Sequence, residues 1–147
     1  MSPSLYDLDP GPAFPEVVRM VVEIPKGSSN KYEYDHQLGA FRLDRVLYSP
    51  VHYPGDYGFI PGTLASDGDP MDVLALVEEP SFSGCVVEVR PVGVLNMVDS
   101  DEKDQKILAV PNREHTPFAS FWAQRVFFEN TPRARRAGAR RLTATDV

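Results

Sequence analysis

Apolar residues in this chain cluster in short runs, and several runs alternate with polar positions. Alternation puts apolar side chains on one face of an extended segment, as in a half-buried strand. Residues 17–24 form a valine-rich run of this kind. In 31–34, Lys31 and Glu33 share one face while Tyr32 and Tyr34 share the other. The turn formers Lys26-Gly27-Ser28-Ser29-Asn30 separate these two runs, and His36-Gln37-Leu38-Gly39 predicts a hairpin connection into a strand over 40–48. Further strands are expected over 71–77, 85–98 and 106–110. Within 85–98, the spacing puts Val87, Val89, Pro91, Gly93 and Leu95 on one face. Residues 54–62, crowded with Gly, Pro and aromatics, read as an ordered loop. Helical periodicity is scarce before Pro117. Beyond it Phe118, Phe121, Trp122, Arg125, Val126 and Glu129 define one short amphipathic helix that stops before Pro132. Many short strands with little helix predict an α+β fold dominated by β, built as a small closed barrel with short flanking helices. The pattern leaves strand order open.

Composition adds limits. The 147 residues suit one domain, and 42% hydrophobic residues suffice for a core. The 14 prolines favour short strands and turns over long helices. Residues 1–15, with Pro3, Pro10, Pro12 and Pro15, read as a flexible lead-in to a domain spanning 1–130. No apolar run approaches the roughly 20 residues of a membrane-spanning helix. The first residues lack a basic stretch followed by an apolar core, so no signal peptide is expected. The single cysteine, Cys85, rules out an intrachain disulfide, fits a cytoplasmic setting, and is expected to be packed. The net charge of −6 is unevenly placed. Residues 1–130 carry 10 Lys/Arg against 20 Asp/Glu, whereas 131–147 carry Arg133, Arg135, Arg136, Arg140 and Arg141 against Asp146 alone. An acidic body repels a phosphate backbone, which argues against nucleic acid, and suits hard cations.

Three segments concentrate the chemistry. Asp67-Gly68-Asp69-Pro70-Met71-Asp72 holds three carboxylates within six residues, across a Gly turn and a rigid Pro. Unpaired carboxylates so close would repel one another, and a divalent cation removes that repulsion. By itself such a run is more often a solvated acidic turn. Residues 99–106 place Asp99, Asp101, Glu102 and Asp104 with Lys103 and Lys106 in what reads as a charged loop between two strands. Glu23, Lys31, Glu33 and Asp44-Arg45 put acids and bases on neighbouring strands. Neither acidic run is an EF-hand: the loop from Asp67 has Asp72 where the turn glycine belongs, and that from Asp99 has Val110 at its twelfth position. His36, His52 and His115 form no metal-ligand pattern.

The stretches EIPKGSSNKYEYD, GAFRLDRVLYSPVHYPGDYGFIPGTLASDGDPMDVL and VVEVRPVGVLNMVDSDEKDQKILAVP together resemble the soluble inorganic pyrophosphatases, the magnesium-dependent single-domain β-barrel family. Specificity comes from DGDPMD standing between Tyr-Pro-Gly-Asp-Tyr-Gly upstream and Arg-Pro-Val-Gly downstream. The resemblance implies an oligonucleotide-binding-like barrel with a polar site at one mouth, and hydrolysis of pyrophosphate to two phosphates. It implies several Mg2+ ions, with Mn2+ as an alternative, and a homo-oligomer, commonly a hexamer. It also implies metal ligation by Glu23, Asp67, Asp72, Asp99 and Asp104, and substrate contacts from Lys31, Glu33, Arg45, Tyr57 and Lys106 near an aromatic Tyr53. Asp69 matches the residue that assists deprotonation of the attacking water. The family pattern continues through a Phe-Phe-Glu segment to a Tyr-Lys pair that contacts phosphate. Here Phe127-Phe128-Glu129-Asn130 runs into Thr131-Pro132, with no tyrosine after Tyr57 and no lysine after Lys106. An impaired homologue without that clamp is therefore the alternative. The tail 131–147 reads as the product of a reading-frame change or truncation before it reads as a basic arm for an anionic partner.

Overall fold

A computed structural model describes residues 3–48, 52–99 and 101–112. Five strands close a barrel: β1 (Val18–Ile24), β4 (Asp56–Ile60), β5 (Met71–Ala75), β7 (Glu102–Pro111) and β6 (Val86–Asp99), in that spatial order, with β6 returning to β1. β5 and β7 run parallel, and the other barrel pairs are antiparallel. Counted along the barrel's own strands the order is 1-2-3-5-4, and closure leaves no barrel edge unpaired. The expected oligonucleotide-binding-like barrel is therefore present. Between its first two strands the chain inserts a separate hairpin of β2 (Asn30–Asp35) and β3 (Ala40–Val46). Its turn closes through Gly39 N–H donating to Asp35 O, with Gly39 at φ +66°.

The barrel interior is apolar. Val18, Met20 and Val22 of β1 meet Ile60, Val73, Ala75, Val89 and Ala109, with Cys85, Val87 and Ile107 beside them. Asp56 is the one charged residue among the buried described residues. Its carboxylate accepts from Lys26 N–H, Ser81 N–H and the Ser81 hydroxyl, at 2.9, 3.1 and 2.6 Å. Three donors satisfy a group that would otherwise be costly to bury.

Several expectations need correction. Residues 54–62 are not a loop, because they contain β4. Buried on both faces, β4 has lost the alternation that marks strands. Its Gly58 is required by close approach, since a Cβ there would overlap the Val21 carbonyl. The charged run after Asp99 is likewise not a loop. Asp99 pairs with Glu102 across a tight turn in which Asp101 has φ +66°, and Glu102 to Lys106 belong to β7. The single face expected within 85–98 is broken by a register shift between Pro91 and Gly93. Val87 and Val89 face the interior, whereas Leu95 and Met97 join Leu74, Leu76 and Leu108 on the outer wall. The lead-in, expected to be flexible, is docked over Leu5–Leu8. A 3-10 turn at Leu5–Asp7 sets Leu5, Tyr6 and Leu8 against Val21, Tyr34 and Phe59. The helix expected after Pro117 and the tail 131–147 lie outside the described residues, as does His115.

Candidate active site

Strand alternation decides where the acids stand. Val73, Ala75, Ile107 and Ala109 point inward, so Asp72 and Lys106, at the intervening positions, occupy the outer wall. Tyr57 stands on the same wall, packed beside Leu74 and Leu108. The candidate residues of β4, β5 and β7 therefore stand on the outside of the barrel, over an apolar interior.

The geometry centres on Lys106. Its Nζ donates to Asp72 Oδ2 at 2.7 Å and to Asp104 Oδ1 at 2.8 Å, and lies 5.3 Å from the Tyr57 ring centroid. The lysine side chain is only 16% exposed. Burial works to lower its pKa, but the charges and hydrogen bonds of Asp72 and Asp104 more than offset this, and the net shift is upward. Tyr57 is held protonated, first by burial and then by Asp72, with which it shares a hydrogen bond. Tyr53 packs against it with ring centroids 5.5 Å apart.

Glu23 reaches this neighbourhood from β1. The register of β1 on β4 slips between Val22 and Ile24, so Glu23 is an extra residue on a bulge. Bulges re-aim side chains, and here the carboxylate turns to the hairpin, where Tyr34 N–H donates to its Oε2 at 2.8 Å. Burial raises the Glu23 pKa to about 7; the Tyr34 N–H and Lys31 oppose the rise, while Asp72 and Glu33 add to it. The hairpin supplies the cations. Asp44 Oδ2 lies 3.3 Å from Lys31 Nζ and 3.5 Å from Arg45 Nε, joining two predicted substrate-binding residues. Glu33 pairs with Arg42 at 3.2 Å.

Other candidates are less drawn in. Asp67 and Asp69 lie exposed on the turn before β5, where Asp67 Oδ1 accepts from Asp69 N–H at 3.0 Å. The charge of Asp69, with those of Glu23 and Glu33, acts on the Tyr6 hydroxyl. Asp99 ends β6 opposite Glu102. Among the described residues no three His, Cys, Asp or Glu side chains form a ready metal cage. The donor chemistry nonetheless fits a hard divalent cation. The candidates are all oxygen donors, a single ammonium stands between the two carboxylates of Asp72 and Asp104, and Glu23 is a largely buried carboxylate. A Mg2+ ion keeps most of its waters and needs one or two carboxylates, not a closed cage.

The sequence profile described as inorganic pyrophosphatase matches residues 20–124. The chain belongs to the inorganic pyrophosphatase family. The inorganic pyrophosphatase of a Nostoc species is 54% identical over 110 residues, covering 74% of this chain and 65% of that protein. That of Halobacterium salinarum is 55% identical over 108 residues, covering 74% and 61%. The chain thus spans under two thirds of the length of these curated relatives. Among solved structures, the Thermus thermophilus inorganic pyrophosphatase superposes with a TM-score of 0.78 at 44% identity, covering 96% of this chain and 88% of that one. Family membership accounts for the barrel.

Sequence reasoning singled out Asp44 beside Arg45 but not its contact with Lys31. It also missed Tyr6, hidden in a proline-rich lead-in with no strand pattern. The position expected to hold the Tyr-Lys clamp lies outside the described residues.

Proposed function

We propose that this protein is an inorganic diphosphatase that hydrolyses pyrophosphate to two orthophosphates. The observation that carries this reading is the opposition of two charge sets. Asp72, Asp104, Lys106 and Tyr57 stand on the barrel wall, Lys31 and Arg45 stand on the hairpin, and the Glu23 carboxylate feels both Asp72 and Lys31. Glu23, Asp67, Asp72, Asp99 and Asp104 would hold divalent cations, Mg2+ first and Mn2+ in its place. When bound, such ions shift the acidity of a coordinated water toward neutral pH and offset the charge of a diphosphate. Lys31 and Arg45 draw the dense polyanion in and share its charge. Lys106 donates to Asp72 and Asp104 and, where those carboxylates hold a cation, would donate to phosphate instead. Tyr57 stays protonated beside Asp72 and offers a neutral donor. Glu33 keeps Arg42 occupied, and Asp69 accepts a proton at its exposed carboxylate.

Among the described residues no helix is long and apolar enough to cross a membrane. A cytoplasmic homo-oligomer, a hexamer, completes the proposal. Its test is release of orthophosphate from pyrophosphate with Mg2+, with Mn2+ and with chelator. Metal-dependent release supports the assignment, and no release with either ion refutes it.

A further inference from the structure

Tyr6 is absorbed by none of the roles above, yet it touches three elements at once. Its ring meets Tyr34 of β2 edge-on at 5.4 Å, stacks on His36 of the hairpin turn at 5.4 Å, and meets Phe59 of β4 edge-on at 4.9 Å. Its backbone is fixed as well. Gly62 N–H donates to Tyr6 O at 2.9 Å, and the neighbouring Leu5 N–H donates to the Tyr34 hydroxyl at 3.1 Å. Gly62, at φ +67°, leaves room for this segment, because a Cβ there would press on Leu8 O and Pro10.

The hairpin shares no ladder with the barrel. It is held by the cluster of Val21, Tyr34 and Phe59, to which Leu5, Tyr6, Leu8 and Phe41 are added, and by the Tyr34 N–H on Glu23. We infer that Tyr6 is a positioning residue of the site: its ring wedges the hairpin against the barrel and so fixes the distance between the cations Lys31 and Arg45 and the acids Glu23 and Asp72. The Tyr6 hydroxyl stays neutral, its pKa pushed up to about 12 by burial and by Glu23, Asp69 and Glu33, so the wedge adds no charge among the acids. This inference rests on the diphosphatase reading for its kinetic consequences, but the mechanical claim is separable from it.

The test compares Tyr6→Ala with Tyr6→Phe in the full chain. Loss of the ring lets the phosphate-binding cations drift, which weakens substrate binding in ground and transition state alike. KM for magnesium pyrophosphate should rise about tenfold with kcat within about threefold, and Tyr6→Phe should restore KM to within about twofold of the parent. An unchanged KM in Tyr6→Ala overturns the inference, as does a Tyr6→Phe variant equally impaired, since the hydroxyl would then be the acting group. Amide hydrogen exchange needs no catalysis. In Tyr6→Ala, amides of 31–35 should exchange roughly tenfold faster while those of β4 and β5 hold their rates. Uniform acceleration or none overturns the inference. If the parent protein fails to hydrolyse pyrophosphate, the proposed function falls, and the exchange pattern still decides the role of Tyr6.

Discussion

The barrel wall and the β2–β3 hairpin carry opposite halves of the candidate site on very different supports. Asp72, Asp104 and Lys106 grow from strands of the closed barrel, next to an interior in which Val73, Ala75 and Ala109 have no exposure, although β7 at Asp104 is paired with β6 alone. Lys31, Glu33 and Arg45 grow from a two-stranded sheet in which β3 is exposed at every position but Phe41, with Leu43 and Val46 about half exposed. The hairpin owes its place to a small cluster of aromatic and aliphatic contacts and to the Tyr34 N–H on Glu23. Such a division would suit the proposed roles, in which the acids converge on a small, geometrically demanding cation and the hairpin cations track a larger polyanion.

The largest effect should come from the wall. Asp72→Asn leaves the fold intact but removes the charge that Lys106 and Tyr57 both face, and turnover should fall by about a hundredfold or more. Retention of more than about a tenth of the parent rate at saturating Mg2+ would break the comparison at its stronger side.

Glu23, where the halves meet, should give the metal-free protein a pH-dependent stability. Its folded pKa of about 7 lies above the ordinary 4.5, so the folded state binds the proton more tightly. The resulting stabilisation is complete below pH 4.5 and is lost as pH rises through about 7, amounting to at most about 3 kcal/mol. Unfolding in urea across this range, with and without Glu23→Gln, reads it out. Other carboxylates pull the opposite way, so the difference between the two proteins is the measure, and Mg2+ should shrink it. Equal pH slopes would mean that Glu23 is no more desolvated than a surface acid.

Next comes the hairpin. On the proposed role, Lys31→Ala would remove one charge-assisted contact to phosphate, worth about 1.5–3 kcal/mol, and should raise KM roughly tenfold or more with a smaller change in kcat. A kcat loss as deep as that of Asp72→Asn would erase the distinction between the two supports.

The smallest effect sharpens the contrast in packing. Leu43→Ser on exposed β3 should cost no more than about 0.5 kcal/mol, whereas Val73→Ala in the interior should cost about 2 kcal/mol. Chemical denaturation of both variants checks the ratio.

Much of the fold was legible because alternation is a local signal. Val18, Met20 and Val22 announce β1, and Met71, Val73 and Ala75 announce β5, whatever they pack on. β4 was not legible. Gly58 is there because another backbone passes close, and a residue chosen by a distant carbonyl looks locally like a loop residue. The docked segment around Tyr6 escaped notice for a related reason: its partners Tyr34, His36 and Phe59 lie far along the chain.

The sequence by itself determined the family, through DGDPMD and its flanking motifs, and the chemical type of the site, because carboxylates, lysine and tyrosine carry their chemistry wherever they stand. Tertiary structure decided which of them meet. Parallel pairing of β5 and β7 brings Asp72 within reach of Lys106, and one bulge turns Glu23 toward the hairpin. The register shift beyond Pro91 sends Leu95 and Met97 to the outer wall beside the site. A shift of one residue exchanges the two faces of a strand, and that choice is made by the neighbouring strand rather than by the local sequence.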